Sequence, residues 1–288
     1  MDRRRFISGM AAATGAIAMP GTLSAAPLDQ IRNLGVLRVA VYHDNRPWSW
    51  NHEGRPTGID ADIGMALAEA LGVKADIALF AADENVSDDL RNAVWRGGLL
   101  GFRAADVMLH VPFDLNFAKT EDNVVFVAPY YRESFTGLCS SQTANCDSPP
   151  QLFVGKPVAA ELESIPDIYL MGSFGGILRG DVRHYPTGFE AAQAVQSGEA
   201  ELAVATKAQI QSAMASNPAS RAQIRKSPLP QVPSKGWDIG MAVKENSRSL
   251  GFAIEDIVSG MIADGRMADI FARHGVEWEA ADATKPHA

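Results

Sequence analysis

The chain has 288 residues, enough for one large domain or two modest ones. Charged residues make up 21% and hydrophobic residues 47%, which is the ordinary balance of a globular protein. The net charge of −8 argues against a nucleic-acid or anionic-membrane partner. Beyond the N-terminus, no apolar run approaches the roughly 20 residues that a membrane-spanning helix needs.

The N-terminal residues have the layout of a cleaved export signal. Three arginines at 3–5 precede Phe6 and an apolar stretch over 10–19, and small residues up to Ala25 suit a signal peptidase. The order Arg-Arg-x-Phe-Ile resembles a twin-arginine signal, with an ordinary Sec signal as the alternative. We therefore expect residues 1–25 to be a signal peptide and the mature protein to reside in the periplasm.

The first half of the chain alternates between strand and helix patterns. Short apolar runs predict strands over 37–42, 73–80 and 106–111. Helical spacing of apolar residues predicts helices over 60–71 and 88–95. Strands that alternate with helices are typical of a parallel sheet, so this half belongs to the α/β class.

The second half repeats this alternation. Thr187 and Glu190 have the spacing of a capping box, which predicts the start of a helix that Gly198 ends. Three prolines within 227–233 predict a stiff, extended crossing between domains. The further predicted elements are strands over 156–160, 201–206 and 237–243 and helices over 250–262 and 267–271.

The chain contains two cysteines, Cys139 and Cys146. An even pair at short spacing in an exported chain predicts a disulfide bond between them. A catalytic thiol is the alternative, but no Cys–His signature surrounds either residue.

Several segments, taken in their order along the chain, resemble a known family. They read LRVAVYHDNRPWSW (37–50), GRPTGIDADIGMALAEALGV (54–73), ADVMLHVP (105–112), FVAPYYRES (126–134), YPTGFEAAQAVQSGEAELAVA (185–205) and the stretch WDIGMAV to ARHGV (237–276). This order is similar to that of the family 3 extracellular solute-binding proteins, the polar amino-acid binders of bacterial ABC importers. The resemblance implies a two-lobed periplasmic-binding-protein (type II) fold with a central cleft and two hinge crossings.

The resemblance also implies how the chain is divided and what it does. The first lobe comprises 34–131 and 238–278, the second lobe comprises 137–229, and a tail over 279–288 is expected to be disordered. A monomer of this kind captures a small polar ligand in the cleft, closes on it by hinge motion and passes it to a membrane permease. It needs no catalytic residue, cofactor or metal.

The sequence departs from the family where amino acids are held. The family places an arginine shortly after the ADVMLHVP position to grip the ligand carboxylate, but here the cation of that stretch is Lys119. Thr206 stands where the family has an acidic residue for the ligand amine. Both ends of a zwitterion therefore lose their usual partner, which predicts that the ligand is not an α-amino acid.

Two alternative functions follow from the same sequence. The segment 89–92 (DLRN), taken with ADVMLHVP and APYYRES, resembles the binding-protein-like accessory proteins of periplasmic quinoprotein (PQQ-dependent methanol or alcohol) dehydrogenases. Such a protein would have a dehydrogenase as its partner rather than a permease. An enzyme on this fold is the second alternative, although the chain lacks a Gly-rich phosphate loop, G-x-S-x-G and H-E-x-x-H.

The candidate ligand-binding residues follow the ends of predicted strands, because loops there line the crevice of an open α/β sheet. Trp48 offers apolar area for a ligand, with packing of its loop onto the core as the alternative. His43, Asp44, His110 and Asp114 are residue types that bind metals, but their spacing fits no metal motif. The predicted ligand-binding set is Tyr42, His43, Asp44, Asn45, Trp48, His110, Pro112, Asp114, Lys119, Glu161, Ser164 and Thr206.

We predict that the common polar amino acids bind no more tightly than about millimolar, close to −4 kcal/mol, because the arginine and the acidic residue that hold a zwitterion are replaced. Isothermal titration calorimetry of the mature protein measures this directly. A micromolar complex with any of these amino acids contradicts the prediction.

Overall fold

The computed structural model describes residues 27–98 and 101–285, so the predicted signal peptide lies outside the described residues. The strands are β1 Val36–Tyr42, β2 Asp44–Asn45, β3 Ser49–His52, β4 Arg55–Thr57, β5 Lys74–Phe80, β6 Val107–Pro112, β7 Val124–Glu133, β8 Phe135–Cys139, β9 Val158–Glu161, β10 Val182–Tyr185, β11 Leu202–Thr206, β12 Gln223–Ile224 and β13 Trp237–Lys244. The helices are α1 Pro27–Leu34, α2 Ile59–Leu71, α3 Val86–Leu90, α4 Leu115–Ala118, α5 Ile165–Gly172, α6 Gly188–Ser197, α7 Lys207–Ser216, α8 Arg248–Ala263 and α9 Arg266–Arg273. Short 3₁₀ segments lie at Pro150–Phe153, Phe174–Gly176 and Asp282–Thr284.

The first lobe is built on a five-stranded sheet with the order β5-β1-β6-β13-β7. β1 runs parallel to β5 and β6, whereas β13 runs antiparallel to β6 and β7. Because β13 comes from late in the chain, this sheet is complete only when the chain returns after building the second lobe. Helices α2, α8 and α9 cover it with a core that includes Ile63, Leu67, Ile254 and Phe271, all fully buried.

The second lobe is built on a sheet with the order β10-β9-β11-β8-β12. β9 runs parallel to β10 and β11, and β8 runs antiparallel to β11 and β12. The chain passes from the first sheet to the second at Ser134 and returns over 225–236, which contains the three prolines. A small sheet, β2-β3-β4, is formed by the segment after β1.

The structure confirms most of the predicted elements. The strands predicted over 37–42, 73–80 and 106–111 are β1, β5 and β6. The predicted helix over 60–71 is α2, and Gly72 ends it with a left-handed φ of 73°. These segments carry strong apolar patterns that stay buried in the sheet or against it, which is why their sequence signal is clear.

Two predictions need correction. The helix predicted over 88–95 is a short α3 that continues as a π-helix over Arg91–Trp95. The tail predicted to be disordered from 279 is ordered through 285, because the carboxylate of Asp238 accepts hydrogen bonds from the backbone amides of Asp282 (2.9 Å) and Ala283 (2.8 Å). Polar composition alone did not show that a buried carboxylate would hold this segment.

The capping box predicted at the start of α6 is present in part. The Thr187 hydroxyl accepts a hydrogen bond from the Glu190 amide at 3.1 Å, and Gly198 ends the helix in the left-handed region. A complete capping box lies instead at the start of α7, where Thr206 and Gln209 bond to each other's backbone.

Cys139 and Cys146 form a disulfide bond, as predicted. The bond closes a short loop beside β8 and β12 in the second lobe. The buried guanidinium of Arg225 supports the same loop, since it donates to the backbone carbonyls of Cys146 (2.8 Å), Ser148 (2.7 Å) and Asp147 (2.9 Å). The loop is therefore held both covalently and by a charge-assisted network.

Replacing both cysteines by serine is expected to lower the free energy of unfolding by about 2–3 kcal/mol, because the disulfide restricts a small loop of the unfolded chain. Urea denaturation of the double variant and the wild type measures the difference. The variant should keep its fold, since Arg225 still holds the loop. A change below the error of the fit contradicts the expectation.

Candidate functional site

Side chains of the two lobes meet between the loop after β1 and the start of α6. The guanidinium carbon of Arg46, in the first lobe, lies 4.2 Å from the centroid of the Phe189 ring in the second lobe. The carboxyl of Glu161, at the end of β9, is influenced electrostatically by Asp44 of β2. We call this region the cleft, since it lies beyond the strand ends of both sheets, where open α/β sheets bind their ligands.

Arg46 is a cleft residue that the sequence analysis did not single out. Its guanidinium is also 4.9 Å from the Trp50 ring, so the cation lies between an aromatic side chain of each lobe. Its Nε is buried and has no hydrogen-bond partner among the described residues. Burial lowers the pKa of Arg46. Its position in the aromatic and polar loop over 43–50 was the sequence signal that could have identified it.

The carboxylate of Glu161, at the end of β9, is hydrogen-bonded at the start of α6. Its Oε2 accepts from the Gly188 amide at 2.8 Å and from Nε2 of Gln209 at 3.3 Å. Burial raises the pKa of Glu161, hydrogen bonds from Gly188 and Gln209 lower it, and Asp44 across the cleft raises it. A side chain at position 188 would clash, because a Cβ there would lie 2.2 Å from Oε1 of Gln209. The glycine thus lets the carboxylate, the amide and Gln209 pack together.

A buried polar cluster lies at the ends of β6 and β7. Asp60, near the start of α2, is fully buried, and its Oδ1 accepts from the Tyr130 hydroxyl at 2.7 Å. Nδ1 of His110 lies 3.4 Å from Oδ2 of Asp60, and the Tyr130 hydroxyl accepts from the His110 amide at 3.2 Å. Burial, with Asp60, raises the pKa of Tyr130 well above its usual value. The cluster fixes His110, whose backbone has a left-handed φ of 62°.

Tyr42 is tied to the first lobe by its hydroxyl. The hydroxyl donates to Oδ2 of Asp89 at 2.7 Å, and the ring lies 4.7 Å from Phe80 and 6.1 Å from His110 between centroids. Burial raises the pKa of Tyr42 well above its usual value, and Asp89 adds to the increase. The hydroxyl is therefore neutral and already engaged as a donor.

Trp48 lies in the first-lobe core. Its side chain is 2% exposed, and its ring packs against Tyr131 (5.2 Å between centroids), Phe271 (5.7 Å) and His110 (4.6 Å). This aromatic cluster holds the loop after β1 onto the lobe. Trp48 therefore supports the cleft through His110 and through the position of its loop.

The remaining predicted residues of the second lobe start helices. Ser164 caps α5 by accepting from the Asp167 amide at 3.3 Å. Thr206 caps α7 by accepting from the Gln209 amide at 3.3 Å. Their hydroxyls are occupied by these bonds, so the same residue types that suit ligand contact serve helix capping here.

The remaining predicted residues of the first lobe fall into two groups. His43 and Asn45 lie in or beside β2 near Asp44, and His43 is exposed. Pro112 ends β6, while Asp114 caps α4 through the amides of Asn116 and Phe117 at 2.8 Å each. Asp114 lines a separate shallow pocket with Phe113, and Lys119 is exposed at the end of α4.

Glu133 lies where β7 leaves the first lobe. Its side chain is 1% exposed, Oε1 accepts from the Ser134 amide at 2.9 Å, and Oε2 makes no hydrogen bond of ordinary geometry among the described residues. Burial raises the pKa of Glu133 to about 8, against the smaller lowering effects of the Ser134 amide, of the Ala208 and Lys207 amides at the start of α7, and of the Thr206 side chain. This crossing between the lobes therefore contains a carboxyl that is neutral below that pH.

Residues 27–98 and 101–285 contain no group of three or more His, Cys, Asp or Glu side chains that could hold a metal ion. None of the helices in those ranges is long and apolar enough to cross a membrane.

Solved structures resemble this arrangement, although no family model and no curated protein matches the sequence. An ancestral cationic amino acid solute-binding protein is similar with a TM-score of 0.66 and 22% identity, over 87% of this chain and 100% of that chain. An ancestral amino-acid-binding protein described as a precursor of cyclohexadienyl dehydratase gives 0.58 and 22%, over 87% and 100%. An amino acid ABC transporter substrate-binding protein from Streptococcus pneumoniae, bound to L-arginine, gives 0.58 and 17%, over 87% and 98%.

The chain has the type II periplasmic-binding-protein fold. The identities of 17–22% show the fold and leave the ligand to be argued from the cleft. In this fold two lobes are joined by two crossings, which here are Ser134 and the segment 225–236. Arg46 and Phe189 make a contact between the lobes, and Glu133 lies at the first crossing.

Replacing Glu133 with Gln is expected to flatten the pH dependence of stability between about pH 4.5 and 8. The folded pKa of about 8 exceeds the ordinary value of 4.5, so the folded state retains a proton that the unfolded state has lost. Stability from this group is complete below pH 4.5 and falls as the pH rises towards 8, by at most about 1.4 kcal/mol per pH unit.

The measurement is the free energy of unfolding in urea at several pH values. Glu69→Gln, at an exposed position on α2, is the control for removing a carboxyl. Subtracting each variant's profile from that of the wild type removes the contribution of other titrating groups. A wild-type slope retained in full by Glu133→Gln contradicts the expectation.

Proposed function

We propose that this protein is a periplasmic solute-binding protein that captures a small polar ligand in the cleft for an ABC-type importer. The observation that carries the proposal is the meeting of the two lobes through cleft side chains. Arg46 contacts Phe189, and the carboxylates of Asp44 and Glu161 act on each other from opposite lobes. A ligand between them touches both lobes at once, so its binding energy favours their closed arrangement.

The polar character of the ligand follows from the side chains that face it. Asp44 is exposed on the first lobe, and its carboxylate acts only as a hydrogen-bond acceptor when ionised. Glu161, across the cleft, is largely buried and already accepts two hydrogen bonds. The two carboxylates favour a ligand that brings hydrogen-bond donors to this part of the cleft, since donors relieve the repulsion between them.

The importer and the compartment are supported by two independent features. The N-terminal residues have the layout of an export signal, with arginines before an apolar stretch. One solved structure of the same fold is described as an ABC transporter substrate-binding protein. We propose binding without catalysis and a permease as the partner. The association with a quinoprotein dehydrogenase remains a prediction of the sequence.

The proposal is tested by a thermal-shift screen of small polar metabolites against the mature protein, followed by calorimetry of the compounds that raise the melting temperature. We expect at least one compound to bind with a dissociation constant below about 100 µM, roughly −5.5 kcal/mol. Asp44→Asn should weaken that complex by about 10-fold to 150-fold, the scale of one hydrogen bond to a charged group. Glu53→Gln, at the turn between β3 and β4 in the same small sheet, is the matched control and should bind like the wild type.

Two results contradict the proposal. One is the absence of any ligand across the screen with a correctly folded protein. The other is a ligand whose affinity responds equally to Asp44→Asn and Glu53→Gln, since this outcome places binding outside the cleft.

A further inference from the structure

Arg46 combines three properties that are unusual for a surface arginine. Its guanidinium lies between Trp50 of the first lobe and Phe189 of the second lobe, 4.9 Å and 4.2 Å from their ring centroids. Its Nε is buried without a hydrogen-bond partner among the described residues. In the part of the chain that the structure describes, no carboxylate forms an ion pair with it.

The Trp50 and Phe189 rings both contact the cation, and a ring contact does not use up the hydrogen bonds that the terminal N–H groups of a guanidinium can donate. The two rings also restrict the rotation of a long side chain, so less entropy is lost when the donors bind a partner. The guanidinium N–H donors of Arg46 therefore have a restricted orientation at the boundary of the two lobes.

A half-buried cation without an anion is incompletely stabilised. Burial lowers the pKa of Arg46, and among the described residues no ion pair compensates for the lost hydration. The nearby acids do not fill this role, because Glu161 is bonded to Gly188 and Gln209 and interacts electrostatically with Asp44. A carboxylate has the geometry that matches the planar guanidinium, so it is the kind of partner that the protein itself does not supply.

We infer that Arg46, held between Trp50 and Phe189, is the anion anchor of the cleft and that the ligand is a small organic carboxylate. The carboxylate accepts hydrogen bonds from the guanidinium, while uncharged donors such as hydroxyl groups elsewhere on the ligand face Asp44 and Glu161, so that an α-amino acid is not required. This inference rests on the proposed function, since it names the ligand class of the same cleft. It also explains how the cleft holds an anion although Lys119, the cation after β6, is exposed on α4.

The experiment compares small carboxylates with their neutral amides. Acetate, lactate, succinate and benzoate are each titrated beside the corresponding amide into the mature wild-type protein, by thermal shift and then by calorimetry. We expect at least one carboxylate to bind at least about tenfold more tightly than its amide, because a charge-assisted pair replaces a neutral hydrogen bond. Its affinity should fall as the salt concentration rises.

Four variants separate the anchor from other roles. Arg46→Gln should reduce the preference for carboxylate over amide to near unity, while Arg46→Lys should keep part of it because the charge remains without the fork. Phe189→Leu tests Phe189 as a positioning residue and should weaken carboxylate binding about threefold to tenfold without abolishing the preference. Arg55→Gln, at an exposed position on β4 of the same small sheet, is the matched control and should leave the preference unchanged. Circular dichroism and the melting temperature verify that each variant folds.

The outcomes distinguish the inference from the proposed function. If the protein binds ligands in the wider metabolite screen but only amines or neutral compounds, the assignment of Arg46 is wrong and the solute-binding function stands. The assignment is also wrong if a folded Arg46→Gln variant keeps the carboxylate preference or if Arg55→Gln loses it. If no compound of any class binds, both proposals fail.

Discussion

A carboxylate that is fully shielded from water must be held by hydrogen bonds, and Asp60 imposes this constraint on the first lobe. Its oxygens face the Tyr130 hydroxyl and the ring of His110, which come from β7 and the end of β6. Three elements distant in sequence are thereby joined at one point beneath the cleft. The His110 ring also packs against Trp48, with 4.6 Å between centroids, so the loop after β1 is in contact with the same cluster.

In the second lobe, side chains of the protein itself accept hydrogen bonds from amides at the starts of three helices. Glu161 accepts from the first amide of α6, and Ser164 and Thr206 cap α5 and α7. Free amides at a helix start are the common receptor for an anionic ligand. The amides of Gly188, Asp167 and Gln209 already have partners within the protein, so these three donors are not free to bind an anion. The second lobe contributes Phe189 to the contact with Arg46 instead.

Much of the fold was predictable from the sequence, because buried strands and amphipathic helices leave a periodic apolar pattern. The site was harder for a physical reason. Ser164 and Thr206 have the same residue types whether they cap a helix or contact a ligand, and only the three-dimensional bonds separate the two roles. Trp48 was open to both a cleft and a core position, and its contacts with Tyr131 and Phe271 place it in the core.

Arg46 shows what sequence position alone does not reveal about charge. A cation useful to a ligand must be near the cleft, held in one orientation and short of a partner within the protein. Lys119 is exposed at the end of a four-residue helix, where no contact among the described residues holds its side chain in one orientation. Arg46 meets all three, but its orientation depends on Phe189, which is remote in sequence and belongs to the other lobe. The charge distribution of the cleft is therefore a property of the two lobes together, and a reading of either lobe by itself leaves the anchor unrecognised.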